Sequence, residues 1–138
     1  MRTRWDAARA GEFRIPASET LGFEVHATDT PEDGVTISWV VPENLCNSAG
    51  NLQGGVMAAF ADALLGGAAA AHLPEDQYPA LAEMKISIFR PAPAGTKLLG
   101  KGTILKKGKR VLFAEAEITN SEGQLIAKAS ATEIPADA

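Results

Sequence analysis

The stretch from residue 54 to residue 71 constrains the fold more than any other part of the sequence. It holds eight alanines and four glycines, and its one ionisable residue is Asp62. Because alanine is the strongest helix former, we predict a helix over about residues 55–72. A helix that is apolar on nearly every side should be buried on nearly every side.

The same stretch approaches the roughly 20 residues that span a bilayer. It is only weakly hydrophobic, however, and an aspartate at its centre would cost roughly 2.5–3.5 kcal/mol in a membrane. No apolar run follows the arginines of the first ten residues, so no secretory signal is expected. These features predict a soluble, cytoplasmic protein with no membrane partner, and the single cysteine, Cys46, fits a reducing compartment.

Strand-like segments stand on both sides of the predicted helix. Turn formers at 31–34, 107–109 and 120–123 separate several of them, and the loop 72–79 ends the helix. The predicted strands are 23–28, 35–41, 83–88, 97–105, 111–119 and 125–132. This order predicts an α+β fold with an antiparallel sheet around one long helix, in a single domain of residues 1–138. Residues 1–19 form an N-terminal extension with a short helix.

Charge is distributed unevenly along the chain. The net charge of −4 argues against nonspecific nucleic-acid binding, which needs clustered positive charge. No lysine or arginine lies between residues 15 and 84, whereas nine lie from Lys85 onward. Either the C-terminal half meets an anionic ligand, or its strands carry solubilising lysines.

Asp62 is the first candidate for chemistry. A lone carboxylate on an apolar helix is costly to bury, and such positions often have perturbed pKa values and catalytic roles. The alternative is a side chain that faces solvent or satisfies a backbone group. It is disfavoured because no other polar residue shares the helix.

The start of the helix offers a second candidate. Gly54 and Gly55 allow close approach to the backbone, and the free N–H groups of a helix N-terminus favour developing negative charge. Gly54 and Asp62 are separated by roughly 12 Å along one helix. Two copies with antiparallel helices would bring each Asp62 to the other's Gly54, which predicts a homo-oligomer with an intersubunit site.

Other chemistries find little support. His26, His72 and Cys46 lack metal-ligand spacing, and neither a serine-hydrolase G-x-S-x-G motif nor a phosphate-binding P-loop is present. We expect no metal and no cofactor.

The segment 47–55, Asn-Ser-Ala-Gly-Asn-Leu-Gln-Gly-Gly, followed by Asp62, resembles the hotdog-fold thioesterases of the phenylacetate-pathway, or PaaI-like, type. These are relatives of the 4-hydroxybenzoyl-CoA thioesterases. The segments 89–92, 107–110 and 123–127 and Gly95 resemble the same family. The resemblance covers about residues 20–133.

This resemblance implies an acyl-CoA thioesterase that works as a dimer or a dimer of dimers. Asp62 matches the catalytic base or nucleophile, and the N–H of Gly54 matches the group that polarises the thioester carbonyl. Asn47 matches an asparagine near the attacking water or the acyl group. Substrate binding is implied for Gly55 and for four cations. The cations, which would contact the phosphates of CoA, are Arg90, Lys107, Lys109 and Arg110. CoA enters as part of the substrate.

Two positions depart from the family pattern. Gln53, which we also count among the catalytic residues, stands where histidine is usual. Its amide does not titrate, but it can orient the loop or hydrogen-bond the thioester. Leu81 stands where some members have serine or threonine, which affects the water-positioning network. A non-catalytic acyl-CoA or acyl-carrier binding protein is therefore the alternative. A hotdog hydratase is less favoured, because no histidine follows Asp62 at short spacing. The acyl group, aromatic or fatty, stays open.

Overall fold

The computed structural model describes residues 1–26 and 31–138. Helices and strands follow in the order α1 (Arg4–Arg9), α2 (Pro16–Leu21), β1 (Glu24–His26), β2 (Val35–Val40), α3 (Gly54–Ala70), β3 (Gln77–Ile88), β4 (Lys97–Lys107), β5 (Leu112–Asn120) and β6 (Leu125–Asp137). The six strands form one antiparallel sheet in the order β1-β2-β4-β5-β6-β3. The last two residues of the predicted strand 23–28 lie outside the described residues.

The sheet wraps around α3 because its inner face carries small residues where the helix comes closest. On β4, a Cβ atom at Gly102 would collide with the backbone carbonyl of Leu64, and one at Gly100 with the Leu64 side chain. Strands β5 and β6 turn a row of alanines inward. The expected α+β hotdog architecture, one long helix enclosed by an antiparallel sheet, is confirmed.

The last strand pair is longer than predicted. The proposed loop 72–79 is wrong at its end, because β3 begins at Gln77, and β6 continues beyond residue 132 to Asp137. The reason is that the two strands extend each other, with Pro79 paired to Pro135. Two prolines at one register position place their missing N–H groups together, and β3 is an edge strand where a proline is tolerated.

The N-terminal extension packs against the central helix. Thr3 and Asp6 form a capping box at the start of α1. Trp5 lies against Gly67 of α3, where a Cβ atom would approach the indole ring to 2.9 Å. The second helix, α2, was not predicted, and it ends at Gly22 with a left-handed φ of 79°.

One side of α3 is open in the single chain, while the rest of the helix is buried or half-buried. Gly54, Gly55 and Asp62 are exposed there. Within the described residues the sheet does not close, and β3 forms one of its edges. Exposed apolar side chains follow this edge: Tyr78, Leu81, Ile88 and Phe89. None of the helices in the described ranges is long and apolar enough to cross a membrane.

Candidate active site

Asp62 lies midway along α3, on the side of the helix that the sheet leaves open. Its side chain reaches the surface of the single chain, but burial on its protein side raises the pKa of the carboxyl group above the usual range. No basic group in the described part of the chain offsets this effect. The result is a carboxylate that is accessible on one side and more basic than an ordinary aspartate.

A mostly apolar cavity of about 300 Å³ opens beside Asp62. It lies between the N-terminal extension, the first strands, the start of β3 and α3, and its apolar lining includes Trp5, Phe13, Ile15, Val25, Ile37 and Tyr78. Arg4 and Ser18 also line it. A concave apolar site with a few polar groups is the usual form of a small-molecule site. A larger cavity of about 490 Å³, around Trp39 and Lys97, contains none of the predicted site residues.

The N-terminus of α3 presents unpaired donors. Gln53 is the N-cap residue with an extended backbone (φ −58°, ψ 134°), and its side chain makes no capping hydrogen bond. The first N–H groups of a helix have no partner within it. A Cβ atom would meet nothing within 4 Å at Gly55 and only Ile88, at 3.7 Å, at Gly54. Packing within the chain would therefore accept a side chain at both positions and does not explain either glycine. Both N–H groups are open to a ligand.

Asn47 shapes the loop that precedes α3. Its side-chain oxygen accepts hydrogen bonds from the backbone N–H of Ala49 (3.0 Å) and of Asn51 (3.2 Å). The loop is tied to the segment after β3 by a hydrogen bond from the Leu52 N–H to the Ala92 carbonyl, at 2.8 Å. The Asn47 oxygen is thus used in the loop itself, which leaves its NH₂ group for other contacts.

The predicted cations lie at two ends of the helix. Arg90 follows Ile88, which lies against Gly54, so Arg90 is placed at the N-terminal end of α3. The turn with Lys107, Lys109 and Arg110 lies at the C-terminal end, where the Lys107 ammonium donates to the His72 carbonyl at 2.8 Å. The two ends of α3 are separated by about 26 Å. A single chain therefore groups Gln53, Gly54, Gly55 and Arg90, but brings neither Asp62 nor the basic turn to them.

Sequence reasoning missed Glu133. This residue on β6 is 1% exposed, and its Oε1 atom has no hydrogen-bond partner among the described residues. Burial, together with the negative charge of Asp62, raises the pKa of Glu133 to about 7. Alternation along β6, with Ala129 and Ala131 turned inward, was a signal for it, but the predicted strand stopped at residue 132.

The histidines stand apart from this site. The Nε2 atom of His26 on β1 lies 2.7 Å from the Ser38 hydroxyl on β2, and Nδ1 of His72 lies 3.1 Å from the Ala68 carbonyl. Within residues 1–26 and 31–138, no three histidine, cysteine, aspartate or glutamate side chains come together in a form that could hold a metal ion.

Comparison with known proteins adds a family description to this geometry. A family model described as "Thioesterase superfamily" matches residues 49–127. Acyl-coenzyme A thioesterase 13 of Mus musculus is 28% identical over 118 residues, which are 84% of this chain and 83% of that protein.

Solved structures share the fold. A phenylacetic acid degradation-related protein from Ralstonia eutropha JMP134, described as a thioesterase, has a TM-score of 0.86 at 27% identity, over 95% of this chain and 98% of that one. The PaaI protein of E. coli has a TM-score of 0.85 at 19% identity, over 96% and 93% of the two chains. A Streptococcus mutans protein bound to acetyl CoA has a TM-score of 0.78 at 19% identity, over 92% and 95%.

Proposed function

This chain belongs to the thioesterase superfamily, and on that premise we propose that it hydrolyses acyl-CoA thioesters to a free acid and CoA at a site built around Asp62. The mouse relative, named as an acyl-coenzyme A thioesterase, supports this substrate class. The observation that carries the proposal is the position of Asp62. It is the one carboxylate on α3, it is open on one side, and it stands beside an apolar cavity.

Asp62 supplies the attacking group in one of two ways. It takes a proton from a water molecule whose oxygen adds to the thioester carbon, or its own carboxylate adds to that carbon and water later releases the acid. In the first route Asp62 passes the proton to the CoA sulfur as the C–S bond breaks. In the second route the sulfur leaves as a thiolate, and the proton comes from the water that later hydrolyses the mixed anhydride. Only the ionised carboxylate reacts, and the raised pKa makes it a stronger base once it is ionised.

The N–H of Gly54 stabilises the negative charge that develops on the carbonyl oxygen. A helix N-terminus adds its dipole to such a donor, and an oxyanion donor of this kind is worth about 10²–10³ in rate. The exposure of Gly54 supports this assignment. Packing supports it as well, because a Cβ atom would fit at this position and packing therefore does not explain why the residue is glycine. Gln53, which replaces the usual histidine, makes no capping hydrogen bond with its side chain, and its amide can hydrogen-bond the thioester.

Two chains together complete the site. Asp62 and Gly54 of one chain are too far apart to act on the same carbonyl, and the open side of α3 and the edge strand β3 need cover. A two-fold dimer with antiparallel α3 helices covers both and pairs each Asp62 with the Gly54 of the other chain. The same symmetry brings the turn 107–110 of one chain toward Arg90 of the other, which places the cations where CoA phosphates bind.

The acyl group occupies the cavity beside Asp62. The reacting carbonyl must lie within about 3–3.5 Å of the attacking atom, so the group attached to it enters the nearest apolar space. That space is lined by Phe13, Ile15 and Val25 from outside α3 and by Gly66 from the helix. The N-terminal extension therefore contributes to the choice of acyl group.

A thiol-release assay with short, medium, long and aromatic acyl-CoAs tests this function. We expect hydrolysis by the unaltered protein and a loss of about 10²–10⁴-fold in the Asp62→Asn variant, because general base catalysis contributes about that much. Asp76→Asn, in the exposed loop after α3, is the matched control and should keep full activity. A folded Asp62→Asn variant with full activity would overturn the assignment, and binding without turnover would favour the non-catalytic alternative.

A further inference from the structure

A buried carboxyl group that the proposed reaction does not use lies in the sheet beneath α3. Glu133 is on the inner face of β6, at a register position between Leu81 of β3 and Leu112 of β5. It is 1% exposed, and Leu112 beside it is fully buried. Both cross-strand neighbours are aliphatic, so neither offers the carboxyl group a polar partner.

The Glu133 carboxyl group needs a partner from outside the protein atoms described. Its Oε1 atom is buried without a hydrogen bond in residues 1–26 and 31–138. Buried polar atoms are nearly always hydrogen-bonded, and ordered water supplies the bond where protein does not. An orphaned, buried carboxyl oxygen on the inner face of the sheet therefore indicates a site for ordered water.

Asp62 is the group from α3 whose charge reaches Glu133. From β5 and β3 the facing side chains are Leu112 and Leu81, while Glu83 of β3 lies with Thr132 on the exposed outer side of the sheet. Two carboxylates in electrostatic contact do not ionise independently, and the buried one keeps its proton longer. Once Asp62 has ionised and until the pH reaches about 7, the pair thus carries one negative charge, on Asp62, and Glu133 is a neutral hydrogen-bond donor.

We propose that Glu133 is a positioning residue for the reaction: its protonated carboxyl group donates, through ordered water, to the Asp62 carboxylate and keeps that carboxylate turned toward the thioester. Glu133 keeps its proton throughout turnover, so the balance of the hydrolysis is unchanged. This inference rests on the proposed function, because it assigns Glu133 a part in the same reaction.

The consequence is a fall in activity above neutral pH. When Glu133 ionises, at a pKa of about 7, it stops donating and adds a second negative charge to the pair that it forms with Asp62. We expect kcat/KM to rise as Asp62 ionises and to fall as the pH passes about 7, which gives a bell-shaped profile.

Two variants of equal length separate a donor from a space-filling group. Glu133→Gln keeps an N–H donor at every pH, whereas Glu133→Met has nearly the same shape without one. We expect the Gln variant to keep activity within about threefold at pH 6.5 and to lose the alkaline fall, and the Met variant to lose at least about tenfold at all pH values. Glu122→Gln, in the exposed turn between β5 and β6, is the control and should keep the bell.

The outcomes separate this inference from the function it rests on. Melting temperatures are measured first, and if the Met variant does not fold, the pH profile of the Gln variant decides. A Met variant as active as the unaltered protein, or an alkaline fall that persists in the Gln variant, would overturn the role of Glu133. If either of these two outcomes is found and the Asp62→Asn variant is inactive, the proposed function stands and only the role of Glu133 fails. A fully active Asp62→Asn variant removes the proposed function itself.

Discussion

Gly54 and Asp62 lie on the same helix, eight residues and about 12 Å apart, and both are exposed on its open side. Groups that act on one carbonyl must come within about 3–3.5 Å of it. A donor and a carboxylate at this separation cannot both meet one thioester in a single chain. The relation between these two residues therefore determines the oligomeric form in which the proposed site works.

The role of the Gly54 N–H is tested by replacing this residue with proline, which has no backbone N–H. Gly54 is the first residue of α3, where proline is tolerated, and the extended backbone of Gln53 suits the residue before a proline. Gly54→Pro should therefore fold but lose about 10²–10³ in kcat, while Gly54→Ala, which keeps the N–H, should lose little. Steady-state kinetics of both variants measure this. Equal activity in the two variants would exclude the Gly54 N–H as the oxyanion donor.

The cavity beside Asp62 should determine acyl preference. Gly66 faces open space, so Gly66→Leu should fill the cavity and lower kcat/KM for bulky acyl-CoAs by about tenfold or more relative to acetyl-CoA. Phe13→Ala should enlarge the cavity and shift preference toward longer or larger acyl groups. Competition between two acyl-CoAs in one reaction measures the ratio directly. Unchanged ratios in both variants would place the acyl group elsewhere.

Two adjacent glycines of α3 should respond in opposite ways to the same substitution. Glycine within a helix costs about 1 kcal/mol relative to alanine, so Gly66→Ala, with open space around it, should raise the free energy of unfolding. At Gly67 the new Cβ atom would approach Trp5 to 2.9 Å and Val35 to 3.2 Å, and Gly67→Ala should destabilise by about 1–3 kcal/mol. Urea unfolding of the pair decides this, and a stabilised Gly67→Ala variant would contradict the packing of Trp5 on α3.

Glu133 should make the fold less stable as the pH rises. Its pKa is about 7 in the folded chain against an ordinary value of 4.5, so the folded state binds the proton more tightly. The resulting loss of stability is absent below pH 4.5, grows between pH 4.5 and 7, and reaches about 3 kcal/mol above pH 7. Glu133→Gln lacks this loss, so its advantage over the unaltered protein should grow across that range. A difference in unfolding free energy that stays constant with pH would refute the buried proton.

Much of the fold follows from patterns within single segments. The alanine-rich composition predicted α3 to within two residues at its end, and the alternation of Val35, Ile37 and Trp39 predicted β2. The site residues at the helix start are local as well, because Gln53 and Gly54 are adjacent in sequence. Such features depend on periodicity and propensity, which the sequence displays directly.

The remaining features depend on contacts between distant segments. The beginning of β3 reads as a loop because Pro79 disfavours a strand, and only its pairing with Pro135 makes it one. The alternation of Ala129 and Ala131 points Glu133 inward, but its burial also needs β6 to extend that far between β3 and β5, and this pairing lies between distant segments. The separation of Arg90 from the basic turn at Lys107 likewise follows from where the helix ends meet the sheet.

The most direct test of the central claim is to combine two inactive chains. Asp62→Asn and Gly54→Pro chains, co-expressed with different tags and purified through both, form a dimer in which one site has both altered residues and the other has neither. An intersubunit site predicts about half the activity of the unaltered dimer in this mixed dimer, although each variant alone is inactive. A mixed dimer as inactive as its parents would show that Asp62 and Gly54 act within one chain, which would contradict the account.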